Sequence, residues 1–168
     1  QGTNDLGNGA NGILVVNSAA NRLGGTGPTQ PNIIAFNRGD GILISSGTNN
    51  AVRGNSQWGN AGLGLDLGSN GILANDATDS DLGANQHQNF PILNRAVLGA
   101  GATEVTGELR STPATAFDVD LFASAVADPS GNGEGEQFLG TFTITTDSDG
   151  FVRFTNAVAV ATPLRFLS

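Results

Sequence analysis

Short apolar runs led by glycine recur through the first half of the chain. Gly12-Ile13-Leu14-Val15, Gly41-Ile42-Leu43-Ile44 and Gly62-Leu63-Gly64-Leu65 are each too short for a helix, rich in β-prone residues and bounded by turn formers. A second element, asparagine then any residue then an apolar one, follows the leading glycine by nine positions at Asn21-Arg22-Leu23 and again at Asn50-Ala51-Val52. A third pairs two asparagines five positions apart, Asn32 with Asn37 and Asn55 with Asn60. Each repeat therefore has three short sides with asparagine at the corners.

The leading glycines are 29 and then 21 residues apart, and the surplus of the first repeat falls largely in the breaker-rich stretch Gly24 to Pro31, which reads as a loop leaving one corner. A period near 21 with three strands per turn predicts a right-handed parallel β-helix in which successive turns stack like residues on like. In that register Ile13, Ile42 and Leu63 form one ladder, and Val15, Ile44 and Leu65 another. Corner asparagines suit left-handed backbone angles, and their amides can bond corner backbone or the next asparagine down.

The pattern changes near Asn94, where asparagine thins out and longer alternating runs begin. Glu104–Leu109, Phe117–Phe122, Phe138–Thr145 and Phe151–Phe154 read as strands of an antiparallel sandwich of the immunoglobulin-like kind, with Asp147-Ser148-Asp149-Gly150 as a hairpin tip. Its last edge is open in the sequence, to be filled by Ala157 to Ala161 or left bare. The expected fold is all-β: parallel β-helix coils over 1–74, an Asp/Asn-rich junction over 75–93, and a small sandwich, complete or not, over 94–168.

Composition narrows the functions. The 168 residues hold 25 glycines, no cysteine and no lysine, so helices are disfavoured and disulfides, thiolate metal sites and a cysteine nucleophile are excluded. A net charge of -8 argues against nucleic acid as a partner, since phosphate affinity needs clustered basic residues. No apolar run reaches the length of a membrane span. The chain reads as a piece of a larger one.

The string from Asn75 to Pro91, Asn-Asp-Ala-Thr-Asp-Ser-Asp-Leu-Gly-Ala-Asn-Gln-His-Gln-Asn-Phe-Pro, together with the Gly-Ile repeats before it and Gly133-Glu134-Gly135-Glu136-Gln137-Phe138-Leu139-Gly140 after it, resembles bacterial secreted and surface proteins. In these, right-handed parallel β-helix repeats of the pectate-lyase-like superfamily run into a C-terminal immunoglobulin-like sandwich module. The resemblance implies an extracellular or cell-surface location, a structural or adhesive role, and polysaccharide or cell-surface components as partners. Members close the sandwich with alternating alanine and threonine, whereas this chain ends Leu164-Arg165-Phe166-Leu167-Ser168.

Candidate chemistry is sparse. Asp76, Asp79, Asp81 and Asn85 around Gly83 offer the oxygens that calcium takes in numbers of six to eight, and the same residues could instead cap their own turns. Calcium is the one cofactor the residues suggest. Asp147 and Asp149 read as a turn, Glu134 and Glu136 as a solvated glycine-rich loop, and the single histidine, His87, as packed at the junction. Trp58 is a candidate carbohydrate contact. Polysaccharide lyases of the same superfamily need a basic proton abstractor, for which Arg53 is the candidate, but a guanidinium stays protonated, so a non-catalytic chain is expected. The alternatives are a carbohydrate-binding module or the remnant of a lyase.

Overall fold

The structure, a computed structural model, describes residues 5–99, 101–159 and 166–168. It is all-β. Seven three-residue strands come first: β1 (Ile13–Val15), β2 (Arg22–Gly24), β3 (Ile33–Ala35), β4 (Ile42–Ile44), β5 (Ala51–Arg53), β6 (Ser56–Trp58) and β7 (Leu65–Leu67). They form three small parallel sheets in the orders β1-β4-β7, β2-β5 and β3-β6, so the chain visits the sheets in the same sequence on successive circuits.

Register follows from the pairing. Ile13 lies beside Ile42 and Ile42 beside Leu65, while Val15, Ile44 and Leu67 make the parallel ladder. The third side is thus displaced by two residues from the alignment on Gly62: Leu65, not Leu63, continues the Ile13–Ile42 ladder. Backbone crowding shows why Gly64 is the true leader. A Cβ on Gly12 would stand 2.6 Å from the Gly41 carbonyl oxygen, and one on Gly41 would stand 2.8 Å from that of Gly64. Only glycine permits this approach. The offset between circuits is 29 residues at Leu23↔Val52 but 23 at Ile34↔Gln57, so the whole surplus of the first circuit lies in the loop between β2 and β3. Core register is untouched by it.

Ile42 and Ile44 are fully buried and pack with Val15, Ile34 and Ala84, fringed by Ile13, Leu23, Val52 and Leu67. The linking segment then makes one tight turn at Ala84–His87, in which Asn85, Gln86 and His87 take successive left-handed angles of 46°, 55° and 49°.

The later strands are longer: β8 (Ile92–Leu98), β9 (Thr103–Arg110), β10 (Ala116–Ser124), β11 (Gln137–Thr145), β12 (Phe151–Val158) and β13 (Phe166–Leu167). They form two antiparallel sheets, β12-β9-β8 and β11-β10-β13. Alternation along β9 and β10 buries Val105, Leu109, Val119 and Leu121, which meet Phe154, Val158 and Ile144 in two clusters drawn from both sheets. The sheets therefore face each other across a shared core. Three details differ from the sequence reading. Strand β8 begins two residues before Asn94. Asp147–Gly150 is a tight turn but not a hairpin tip, because β11 pairs with β10 and β12 with β9, so the turn carries the chain from one sheet to the other. The open edge beside β10 is taken by Phe166–Leu167 rather than by Ala157 to Ala161, of which Ala157 and Val158 end β12 and Val160 and Ala161 lie outside the described residues.

Candidate functional site

The chemistry gathers where the circuits meet the linking segment and the antiparallel sheets. It is built from corner asparagines. Each amide does two things: its oxygen accepts the backbone N–H of the asparagine one circuit earlier, and its NH₂ donates to a carbonyl of that circuit. The Asn21 N–H donates to Asn50 Oδ1 at 3.1 Å, the Asn32 N–H to Asn55 Oδ1 at 3.1 Å, and the Asn37 N–H to Asn60 Oδ1 at 3.0 Å. In return Asn50, Asn55 and Asn60 donate through Nδ2 to the carbonyls of Ser18, Leu23 and Ile34 at 3.0, 3.0 and 3.1 Å. Asparagine alone among short side chains, glutamine being longer, carries both functions, and burial makes their satisfaction obligatory.

The columns do not stop with the last circuit. The Asn50 N–H donates at 2.9 Å to Asn85 Oδ1 of the linking segment, whose Nδ2 donates back to the Asn50 carbonyl at 2.7 Å. The Asn60 N–H donates at 3.0 Å to Glu134 Oε1, and Asn60 Nδ2 to the same oxygen at 2.6 Å. Beside the Asn55 column the Gly54 N–H donates to Asp120 Oδ2 at 3.0 Å. Strand β6 is continued in the same way, since the Gln57 N–H donates to the Gly135 carbonyl at 3.0 Å and the Ser56 hydroxyl to that of Glu136. Glu134 is therefore no solvated loop residue. Its carboxylate stands where a fourth asparagine would, and burial pushes it above the usual carboxylate range.

Arg53, at the end of β5, reaches across to the outward face of β10. Its guanidinium donates to both oxygens of Asp120, Nε to Oδ2 at 2.8 Å and Nη2 to Oδ1 at 2.7 Å, and Nη1 donates to Asp118 at 3.3 Å. The hydrogen bond to Asp120 is the main reason that Arg53 is pushed further toward its charged form. Burial alone would raise Asp120, but the bonds from Arg53, Thr141 and Gly54 outweigh it and hold the carboxyl below its ordinary value. A fork matched to a carboxylate in this way fixes orientation as well as charge.

The four candidate calcium residues are engaged separately. Asp76 accepts from the Ser80 N–H at 3.3 Å and from Asn89 Nδ2 at 3.2 Å; Asp79 accepts from the Asn89 N–H at 3.0 Å and from the Ser111 hydroxyl; Asn85 belongs to the asparagine column; Asp81 is exposed. Among the described residues no three His, Asp or Glu side chains converge as a metal group would. Asn89, nearly buried, ties this turn to the Arg110 carbonyl of β9 at 2.9 Å. The His87 ring lies over Gly83, where a Cβ would come within 2.5 Å of it. Trp58 and Phe36, both half-buried, meet edge to face with ring centres 6.4 Å apart and planes at 83°, so they do not make one flat platform.

No protein-family model matches this chain, and no curated protein matches it. Function must be argued from the site.

That site contains residues the sequence did not single out: Asp118, Asp120, Ser111 and Asn89. The alternation Phe117-Asp118-Val119-Asp120-Leu121 already placed the two aspartates on the outward face of a strand. Nothing in the spacing paired that face with Arg53.

Proposed function

We propose that the chain is a non-catalytic structural module of an exported or cell-surface protein: a short right-handed parallel β-helix closed at one end by an immunoglobulin-like sandwich. The observation that carries this reading is the termination of the asparagine columns on Asn85 and Glu134, with Asp120 beside the third, all outside the circuits. Stacked β-circuits leave a row of unsatisfied N–H and C=O groups at their last turn, an edge that templates further pairing unless it is covered. Here the cover is supplied by the following segment, side chain for side chain.

The fixing of Arg53 between two aspartates supports a static role, because the one basic residue that a lyase reading would use is tied into the interface. The resemblance of the Asn75 to Pro91 string supports the exported or surface location and a rod-like, adhesive context.

The test is equilibrium unfolding of the whole chain. Trp58, the only tryptophan, reports on β6, and far-ultraviolet circular dichroism reports on all strands. A capped module loses both signals in one coincident transition. Two separated transitions would remove the cap reading, and release of unsaturated sugars from polygalacturonate would remove the non-catalytic one.

A further inference from the structure

Between the last circuit, the linking segment and the start of β10 the side chains leave a polar cavity of about 220 Å³. Asn50 and Asn85 form part of its wall, but their amides are spent on each other's backbone, which makes that wall rigid. The rest comprises Asn49, Asp79, Gln86, Gln88, Thr112 and Phe117. Among the described residues the amides of Asn49, Gln86 and Gln88 and the hydroxyl of Thr112 bond to no other protein group, so four polar side chains around one hollow are free. The backbone is strained at the same place: Asn49, Asp79, Asn85 and Gln86 all hold left-handed angles, at 58°, 53°, 46° and 55°. Strain of this kind gathers where a surface is shaped for a ligand, and here it aims side chains at the cavity.

We propose that this cavity binds a single pyranose ring of a neutral sugar. Amides and a hydroxyl offer donors and acceptors side by side, which is what vicinal sugar hydroxyls, each donor and acceptor at once, require. The half-buried Phe117 supplies an apolar surface for the C–H face of the ring while its other side packs against the core of the sheets. Size allows one ring and no more, since the volume lies under the roughly 300–1,000 Å³ of pockets for larger ligands. Charge decides against a divalent cation. The one carboxylate in the wall, Asp79, already accepts from the Asn89 N–H and the Ser111 hydroxyl, and calcium needs several free oxygens with more negative charge. The site is distinct from the Trp58 and Phe36 pair, neither of which lines the cavity.

The experiment is a titration of the isotope-labelled full chain, followed by amide NMR, with glucose, galactose, mannose and N-acetylglucosamine in separate runs up to tens of millimolar, and with calcium chloride as a fifth. Saturable shifts confined to the amides of residues 86–88 and 112–117 with at least one sugar are expected. Asn49→Ala and Gln88→Ala remove exposed side chains without protein partners, so they leave the fold intact, and each should weaken that sugar roughly two- to tenfold through one lost hydrogen bond. Trp58→Ala should leave the affinity unchanged. The proposal is overturned by an absence of saturable shifts with every sugar, by calcium alone moving these amides, by affinities indifferent to both cavity variants, or by loss of binding in Trp58→Ala.

Discussion

The circuits and the antiparallel sheets handle buried polarity in opposite ways. In the sheets β9, β10 and β12, alternation sends apolar side chains inward to a core of Val105, Leu109, Val119, Leu121, Phe154 and Val158 and leaves polar ones on the outer faces. The circuits have sides of three residues, too short for alternation to build a wide core, and they bury Asn37, Asn50, Asn55 and Asn60 alongside Ile42 and Ile44. One region is held by shape and apolar area, the other by a small apolar ladder plus columns of paired amides. The interface obeys the second rule, with Glu134 and Asn85 acting as the final members of the columns.

If the two regions are one cooperative unit, a core truncation in either should weaken both. Ile42→Ala and Leu121→Ala remove side chains that are 0 % and 1 % exposed, and each should cost about 3 kcal/mol in urea unfolding. The comparison breaks if Ile42→Ala moves the Trp58 signal alone.

The amide columns should be the next most sensitive. Asn55, 2 % exposed, accepts from the Asn32 N–H and donates to the Leu23 carbonyl, and Asn55→Ala leaves both buried groups unpaired, for a loss of about 2 kcal/mol. Asn55→Asp, nearly isosteric, should cost as much, because it cannot donate to Leu23. Thr143→Ala, on the exposed face of β11, should cost well under about 1 kcal/mol in the same melts. Equal effects at the two positions would mean that amide pairing is incidental.

How much of this could be read beforehand is clearest at the third circuit. Gly62-Leu63-Gly64-Leu65-Asp66-Leu67 offers two glycines, each followed by leucine, so apolar pattern alone cannot choose between them. The corner decides: Asn37 stands four residues before Gly41, and Asn60 four before Gly64, and only this spacing keeps the asparagines stacked while the glycines meet carbonyls. The asparagine columns were legible because they repeat. Their last members were not, since Glu134 and Asp120 are different residue types supplied from more than sixty positions away.

The interface carries opposed pH dependences. Asp120 is held below its ordinary value, so its contribution is complete above the unfolded carboxyl value of about 3.9 and is lost as pH falls through the lower folded one. Glu134 is raised, so its unfavourable ionisation sets in as pH rises through its folded value, and protonating it stabilises the fold. Urea midpoints should therefore rise slightly on acidification from neutrality and then drop below about pH 4. Glu134→Gln should abolish the rise and Asp120→Asn should blunt the drop. A profile unchanged by both variants would separate these carboxyls from stability.

A smaller gain is expected at Asp66, on the outer side of β7 beside Leu43. It is 5 % exposed, one of its oxygens has no partner, and burial raises its pKa. Asp66→Asn should stabilise the chain by about 1 kcal/mol at neutral pH, and a loss would show that the charge is used. Smallest of all is calcium. With Asp76 and Asp79 already accepting from turn donors, melts in EDTA and in millimolar calcium at fixed ionic strength should coincide, and a clear rise in calcium would restore the cation reading of that turn.

By itself the sequence determined that the chain is all-β, that short glycine-led strands with asparagine corners give way to longer alternating ones, and that acidic groups crowd the link between them. These are local properties, set by side-chain size, branching and turn chemistry over a few residues. Only the tertiary structure decided the register of the third circuit, the pairing of Arg53 with Asp118 and Asp120, the placement of Glu134 at the end of an asparagine column, and the cavity beside Phe117. Each joins groups far apart in the chain, and such pairings depend on how two regions seat against one another, which no short-range periodicity encodes.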